Sequence, residues 1–294
     1  MVALVVNTTS AFLFVCLYSI IGIFAAPTQD HQDAPRLLHR RADSFAVTGA
    51  PVIDGNIPQR FEIRELRKNH AQWNLYLLAL NQFQQMDQTD VRSYYQLSGI
   101  HGRPFTEWDG VPLVQNMGYC SHTSNLFATW HRPYVAAFEQ VLYDIVQQVA
   151  TSIQNDTNGE YKTAASTFRH PYWDWAARST DGSSVLPAPI SGSPFIMLDL
   201  PNGTLAINNP LFQYTFAFSD LSAFPDSPFN VWQQTLRYPS TQNATATSQN
   251  SLVSQQIEQS QNTYAQRIMN LLQAYPRFAN FSNSAWTPNE LGYE

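Results

Sequence analysis

Cysteine is almost absent from this 294-residue chain, which holds only Cys16 and Cys120. Cys16 lies in an apolar N-terminal run, so once that run is removed no internal disulfide is possible and the fold must rest on its core. Charge is scarce too: 13% of residues are charged, the net charge is -6, and no basic stripe exists. That argues against a nucleic-acid partner. Histidine is missing beyond His170, and no internal repeat is visible. What the chain does have is 44% hydrophobic residues, with seven Trp and fourteen Tyr. These suit one large domain with an aromatic-rich core.

Residues 1–26 read as a secretory leader. The stretch 11–26 is apolar and ends in Ala25-Ala26-Pro27, although no Lys or Arg precedes it. It is short for a membrane span. Residues 27–41 end in His39-Arg40-Arg41 and read as a pro-segment with a dibasic processing site, or as a solvated loop. Sequons at Asn155, Asn202, Asn243 and Asn280 fit a glycosylated, secreted protein with no membrane attachment after leader removal. No domain boundary is apparent within 42–294.

Helical periodicity is strongest in two places. Leu66, His70, Trp73, Leu77 and Leu80 recur at steps of three and four, which predicts a helix over 59–86. A second helix is expected over 87–98, capped by Asp87 or Thr89 and stopped at Gly99, with His101 just past its end. Phe127, His131, Tyr134, Phe138, Val141 and Ile145 predict a long helix reaching residue 153, with Pro133 near its start or at a kink. Beyond Trp175 the periodicity fades. Residues 179–193 and 240–261 read as loops, with a short helix over 264–272 and apolar pieces such as 195–198.

The chemistry gathers at His101, His122 and His131. The pattern Cys120-x-His122, then His131 eight residues after the intervening loop begins, places one imidazole on a loop and another on a helix face. A third from a neighbouring helix end closes a three-nitrogen cap with open positions, suited to copper or zinc. Two metals with three histidines each would need six, and outside the leader and pro-segment the chain has five. His70, on an apolar stripe, reads as a core or boundary histidine, and His170 beside Pro171 as structural.

The run Gly118-Tyr119-Cys120-Ser121-His122, then Trp130-His131-Arg132-Pro133-Tyr134 and Pro171-Tyr172-Trp173-Asp174-Trp175, resembles fungal tyrosinases and catechol oxidases, the type-3 dicopper phenol oxidases. Asn209-Pro210-Leu211-Phe212 and Leu236-Arg237-Tyr238-Pro239 extend the likeness, which runs from about residue 61 onwards. The resemblance implies a mainly α fold: a tyrosinase-like helical bundle around a copper site, incomplete, with long irregular loops. It assigns His101, His122 and His131 to the first copper (CuA) and a thioether to Cys120 with His122. It gives Trp173-Asp174-Trp175 a structural role below the metal. The second copper (CuB) needs a His-x3-His pair that this sequence lacks. The expectation is therefore the CuA part of a phenol oxidase, cut short before the CuB motif and inactive alone. Phenolic substrate and dioxygen would be partners of the complete enzyme. A mononuclear three-histidine metal protein and a non-catalytic product are the rival readings.

Overall fold

The computed structural model describes residues 44–113, 118–178, 182–217 and 223–283. The expected leader and pro-segment lie outside these residues.

Eight helices, a short 3-10 turn at Phe229–Val231 and one hairpin make up the regular structure of the described residues. The helices are α1 (Ile63–Leu66), α2 (His70–Gln84), α3 (Tyr94–His101), α4 (Phe127–Ser152), α5 (Glu160–Ser166), α6 (Ala188–Ser191), α7 (Asn250–Ala274) and α8 (Phe278–Ser282); the hairpin pairs β1 (Phe195–Leu200) with β2 (Gly203–Asn208). The mainly α expectation holds. None of these helices is long and apolar enough to cross a membrane.

The core is α2 packed on α4, with α5 against both. Leu75, Leu77 and Phe83 from α2 meet Leu142 and Val146 from α4, with Phe168 beyond α5. Residues 71–77 of α2 are all buried, as befits a helix covered all round. Its polar members therefore need partners. Asn74 Nδ2 donates to the Asp199 carbonyl at 2.7 Å and to the Tyr161 hydroxyl at 3.0 Å; Gln72 Nε2 donates to the Ala164 carbonyl at 3.1 Å. The N-terminal strap is tied to the outer side of α4, where Gln140 Oε1 accepts from the backbone N–H groups of Thr48 and Gly49.

Several local expectations are corrected. The helix expected over 59–86 is broken, because Asn69 turns extended and its side chain accepts from Gln72 N–H, capping a new helix. His70 is consequently the first residue of α2 and exposed, not a core or boundary histidine. Asp87 and Asp90 close local turns onto the N–H groups of Thr89 and Arg92, so α3 waits for the cap at Ser93. Gly99 lies inside α3: a Cβ there would meet Pro104 Cδ at 3.3 Å, so the small residue serves the fold-back of the chain, and His101 ends the helix. Much of 240–261 belongs to α7. Val253, Ile257, Gln261, Tyr264 and Ile268 form its inward stripe, and polar bonds replace apolar burial: Gln261 donates to the Ala176 carbonyl and Glu258 accepts from Ser184 at 2.9 Å. Residues 195–198 pair as β1, with Leu198 opposite Leu205. Trp173 packs on the core, but Trp175 is exposed and leans on Tyr264.

A charged cluster closes the core under α4. Glu139 is buried and takes two 2.9 Å bonds from Arg60 and one from the His170 backbone N–H. Burial pushes its carboxyl up, but Arg60 and His170 outweigh this and leave it below the ordinary value. The His170 ring lies 5.2 Å from Phe138 and 6.0 Å from Tyr76, and its Nδ1 is shut from solvent with no partner among the described residues. Burial holds that imidazole down to about 4, with Glu139 pulling it up and Arg60 pushing it down. A histidine whose folded pKa is depressed stabilises the fold fully above its unfolded value of 6.5, and that contribution is lost as pH falls toward 4. The Glu139 contribution disappears at lower pH still, in the same direction. The thermal midpoint should therefore drop as pH falls from 6.5 to 4, and His170→Phe should flatten that part of the profile. An identical slope in the variant would refute the assignment. Phe83→Ala should cost about 3–5 kcal/mol in urea unfolding.

Candidate metal centre

His101, His122 and His131 reach one point from three directions. His101 ends α3, His122 leaves the loop before α4, and His131 stands on the second turn of α4. Ring centroids are 5.1 Å apart for His101–His131, 5.4 Å for His122–His131 and 5.6 Å for His101–His122. With Cys120 they form a group whose donor atoms all lie within 4.8 Å of one another. His101 and His122 are exposed and His131 and Cys120 half-buried, so the cluster opens to solvent on one side. His70 and His170 lie outside it.

The local sequence sets each ring. His131 Nδ1 donates to the Phe127 carbonyl one turn earlier at 2.6 Å, which fixes the tautomer and leaves the Nε2 lone pair facing the site. His101 Nε2 stands 3.0 Å from His131 Nε2, and Cys120 Sγ 3.2 Å from the same atom. Tyr134, one turn beyond His131, stacks on His101 with centroids 5.5 Å apart, and Trp130 stacks on Tyr134 at the same distance. Phe127 lies 4.3 Å from the His131 ring. Burial, then the nearness of His131 and His122, holds the His101 imidazole below the ordinary histidine value, which favours the neutral form that can donate a lone pair. Burial also pushes the Tyr134 phenol up to about 12, keeping that wall uncharged.

The donor set suits a transition metal. With metal–nitrogen bonds of about 2.0–2.1 Å, two nitrogens sharing one ion at a near-right angle lie about 3 Å apart, the separation between His101 and His131. Imidazole with sulfur favours copper or zinc over hard oxygen-seeking cations. The three histidines named from sequence are thus brought together. The Phe127 carbonyl and the Tyr134 wall were missed, although their places four before and three after His131 on a helix would have found them.

Comparison with known proteins points the same way. A family model described as the common central domain of tyrosinase matches residues 91–292. The chain is 37% identical over 263 residues to a tyrosinase of Neurospora crassa, covering 83% of this chain and 38% of that protein. It is 36% identical over 261 residues to a tyrosinase of Podospora anserina, covering 84% and 45%. A solved mushroom tyrosinase superposes with a TM-score of 0.71 at 29% identity, over 82% of this chain and 61% of that one. The apo-protyrosinase melB of Aspergillus oryzae gives 0.72 at 26%, over 82% and 49%. The chain spans less than half the length of the two curated relatives.

Titration of the metal-free protein with Cu(II) should show one tight equivalent. His131→Ala should abolish it and His70→Ala leave it intact; equal binding by the two variants would dismiss the site.

Proposed function

This chain belongs to the tyrosinase family, and on that premise we propose that it carries one copper site of a type-3 phenol oxidase, held by His101, His122 and His131. The observation that carries the reading is the convergence of those rings around one point, with the His131 tautomer set by Phe127. Copper bound there would supply one-electron redox chemistry toward dioxygen and a phenol. The chain's own part is to present three imidazoles, keep the Tyr134 side uncharged, and leave the His101 and His122 side open to incoming molecules. The proposed reaction of the whole enzyme is the oxidation of an o-diphenol to an o-quinone with dioxygen, preceded by hydroxylation where the substrate is a monophenol. Two diphenols surrender four electrons and four protons to one dioxygen, giving two quinones and two waters.

One copper cannot share those electrons with a second, and His70 and His170 stand away from the cluster. The chain by itself is therefore expected to show no catechol-dependent oxygen uptake above that of free copper. Sustained turnover by the copper-loaded chain would overturn this. A mononuclear zinc hydrolase is the weaker alternative, because among the described residues no carboxylate joins the cluster to serve as base. Metal analysis separates the two.

We also propose the thioether between Cys120 and His122, supported by the place of the sulfur inside the donor cluster. Its S–C bond would replace the Cys120 S–H and a His122 ring C–H, with the two electrons and two protons passing to dioxygen when the protein is matured with copper, and a cross-linked tryptic peptide lighter by two hydrogens is its signature; an alkylatable thiol in copper-matured protein would refute it. Secretion, with a leader at 1–26, a pro-segment at 27–41 and a CuA part at 42–294, belongs to the same reading. Asn155, Asn202 and Asn243 are exposed, with Asn202 beside the hairpin tip. Asn280 is half-buried in α8, and its sequon partner Ser282 is buried and donates to the Phe278 carbonyl. Glycan mapping of secreted protein should find the first three sites filled and Asn280 least.

A further inference from the structure

Tyr119 stands one residue before Cys120 and three before His122, in the loop that delivers both. Its backbone N–H donates to the Ile100 carbonyl at 3.2 Å, next to His101. Its phenol hydroxyl sits in the tight turn at 108–111, where Asp109 and Gly110 have φ of 49° and 68°. There it accepts from the Trp108 backbone N–H at 2.9 Å and donates to the Val111 carbonyl. The turn is itself anchored: Trp108 Nε1 donates to the Val91 carbonyl at 3.0 Å, and the indole meets Phe45 edge-on at 6.3 Å. One residue thus links the loop of Cys120 and His122 both to the helix end that carries His101 and to a fixed turn. Past Tyr119 the loop has short-range bonds, Ser121 Oγ to Ser124 Oγ at 2.8 Å and Leu126 N–H to Ser124 Oγ at 3.1 Å.

We propose that Tyr119 is a positioning residue for the three-histidine centre, its hydroxyl holding the stretch 119–122 in register with the end of α3. The inference rests on the copper reading above. Ligand placement matters on the scale of about 0.5 Å, and a free loop bearing one of three ligands would lose entropy on every binding event. The backbone bond to Ile100 survives any side-chain change, so the hydroxyl can be removed by itself. Without it, Trp108 N–H and the Val111 carbonyl lose a shared partner, and the ring is free to shift, carrying Cys120 and His122 with it.

The test is Tyr119→Phe in the full chain, with Tyr264→Phe as a control that loses the same hydroxyl on α7. Cu(II) affinity by competition titration, the Cu(II) EPR spectrum and the metal-free thermal midpoint are read on each. Tyr119→Phe should keep its midpoint near wild type, lose copper affinity by about 10–100-fold and show altered or broadened copper hyperfine structure. Tyr264→Phe should match wild type in all three. Wild-type affinity and spectrum in Tyr119→Phe would overturn the proposal while leaving the copper reading intact; wild-type protein that takes up no copper would overturn both. Should Tyr119→Phe fail to fold, Gly110→Val strains the turn that seats the hydroxyl without touching the phenol. It must then reproduce the spectral change, and an unchanged spectrum counts against the role.

Discussion

The contact between α2 and α4 is what everything else in this molecule leans on. α4 is 26 residues long. Its deeper turns bury Leu142, Val146 and Val149 against α2, while its first turns carry His131 into a half-exposed cluster. An exposed helix end is only as well placed as the buried end that holds it. The cluster of Arg60, Glu139 and His170 lies at the junction between these two parts. It satisfies a buried carboxylate with three donors, and in the process it pins the chain after α5 to the middle of α4.

The metal centre shows the complementary economy. Three imidazoles drawn to one point need the surrounding structure to orient them. It does this with carbonyl and ring contacts rather than charge: the Phe127 carbonyl for His131 and the face of Tyr134 for His101. Among the described residues no carboxylate joins the donor cluster, and imidazole with sulfur is a donor set suited to softer metals. The open side at His101 and His122 belongs to the same design, since a closed cap would bind a metal without admitting anything else to it.

Elsewhere polar bonds take the place of apolar burial. α7 has 25 residues and only Gln261 fully buried. It is tethered by Gln261 to Ala176, by Glu258 to Ser184 and Val185, and by Arg178 to Asn262. Much of its apolar stripe is only half-covered, and Met269 and Leu272 face solvent. This is why hydrophobic periodicity is a poor guide in this part of the chain: Ser and Gln dominate 250–261, and the helix is held by polar side chains whose partners are distant in sequence.

The helical class, the reach of α4 to about residue 153 and the three histidines that converge were all legible in the chain. Those follow from local periodicity and from the spacing of rare histidines, information that sits in short windows. Local pattern misjudged the break at Asn69, the late start of α3 and the exposure of His70, because a side-chain cap or an Asx turn competes with the helix by a margin that residue type does not show. Tertiary packing set how closely the trio meets, with His101 Nε2 3.0 Å from His131 Nε2. It also decided that Tyr119 reaches the turn at 108–111, and that residues 195–208 pair as a hairpin. Such choices depend on which distant surfaces can be buried together, and a one-dimensional pattern does not carry that sum.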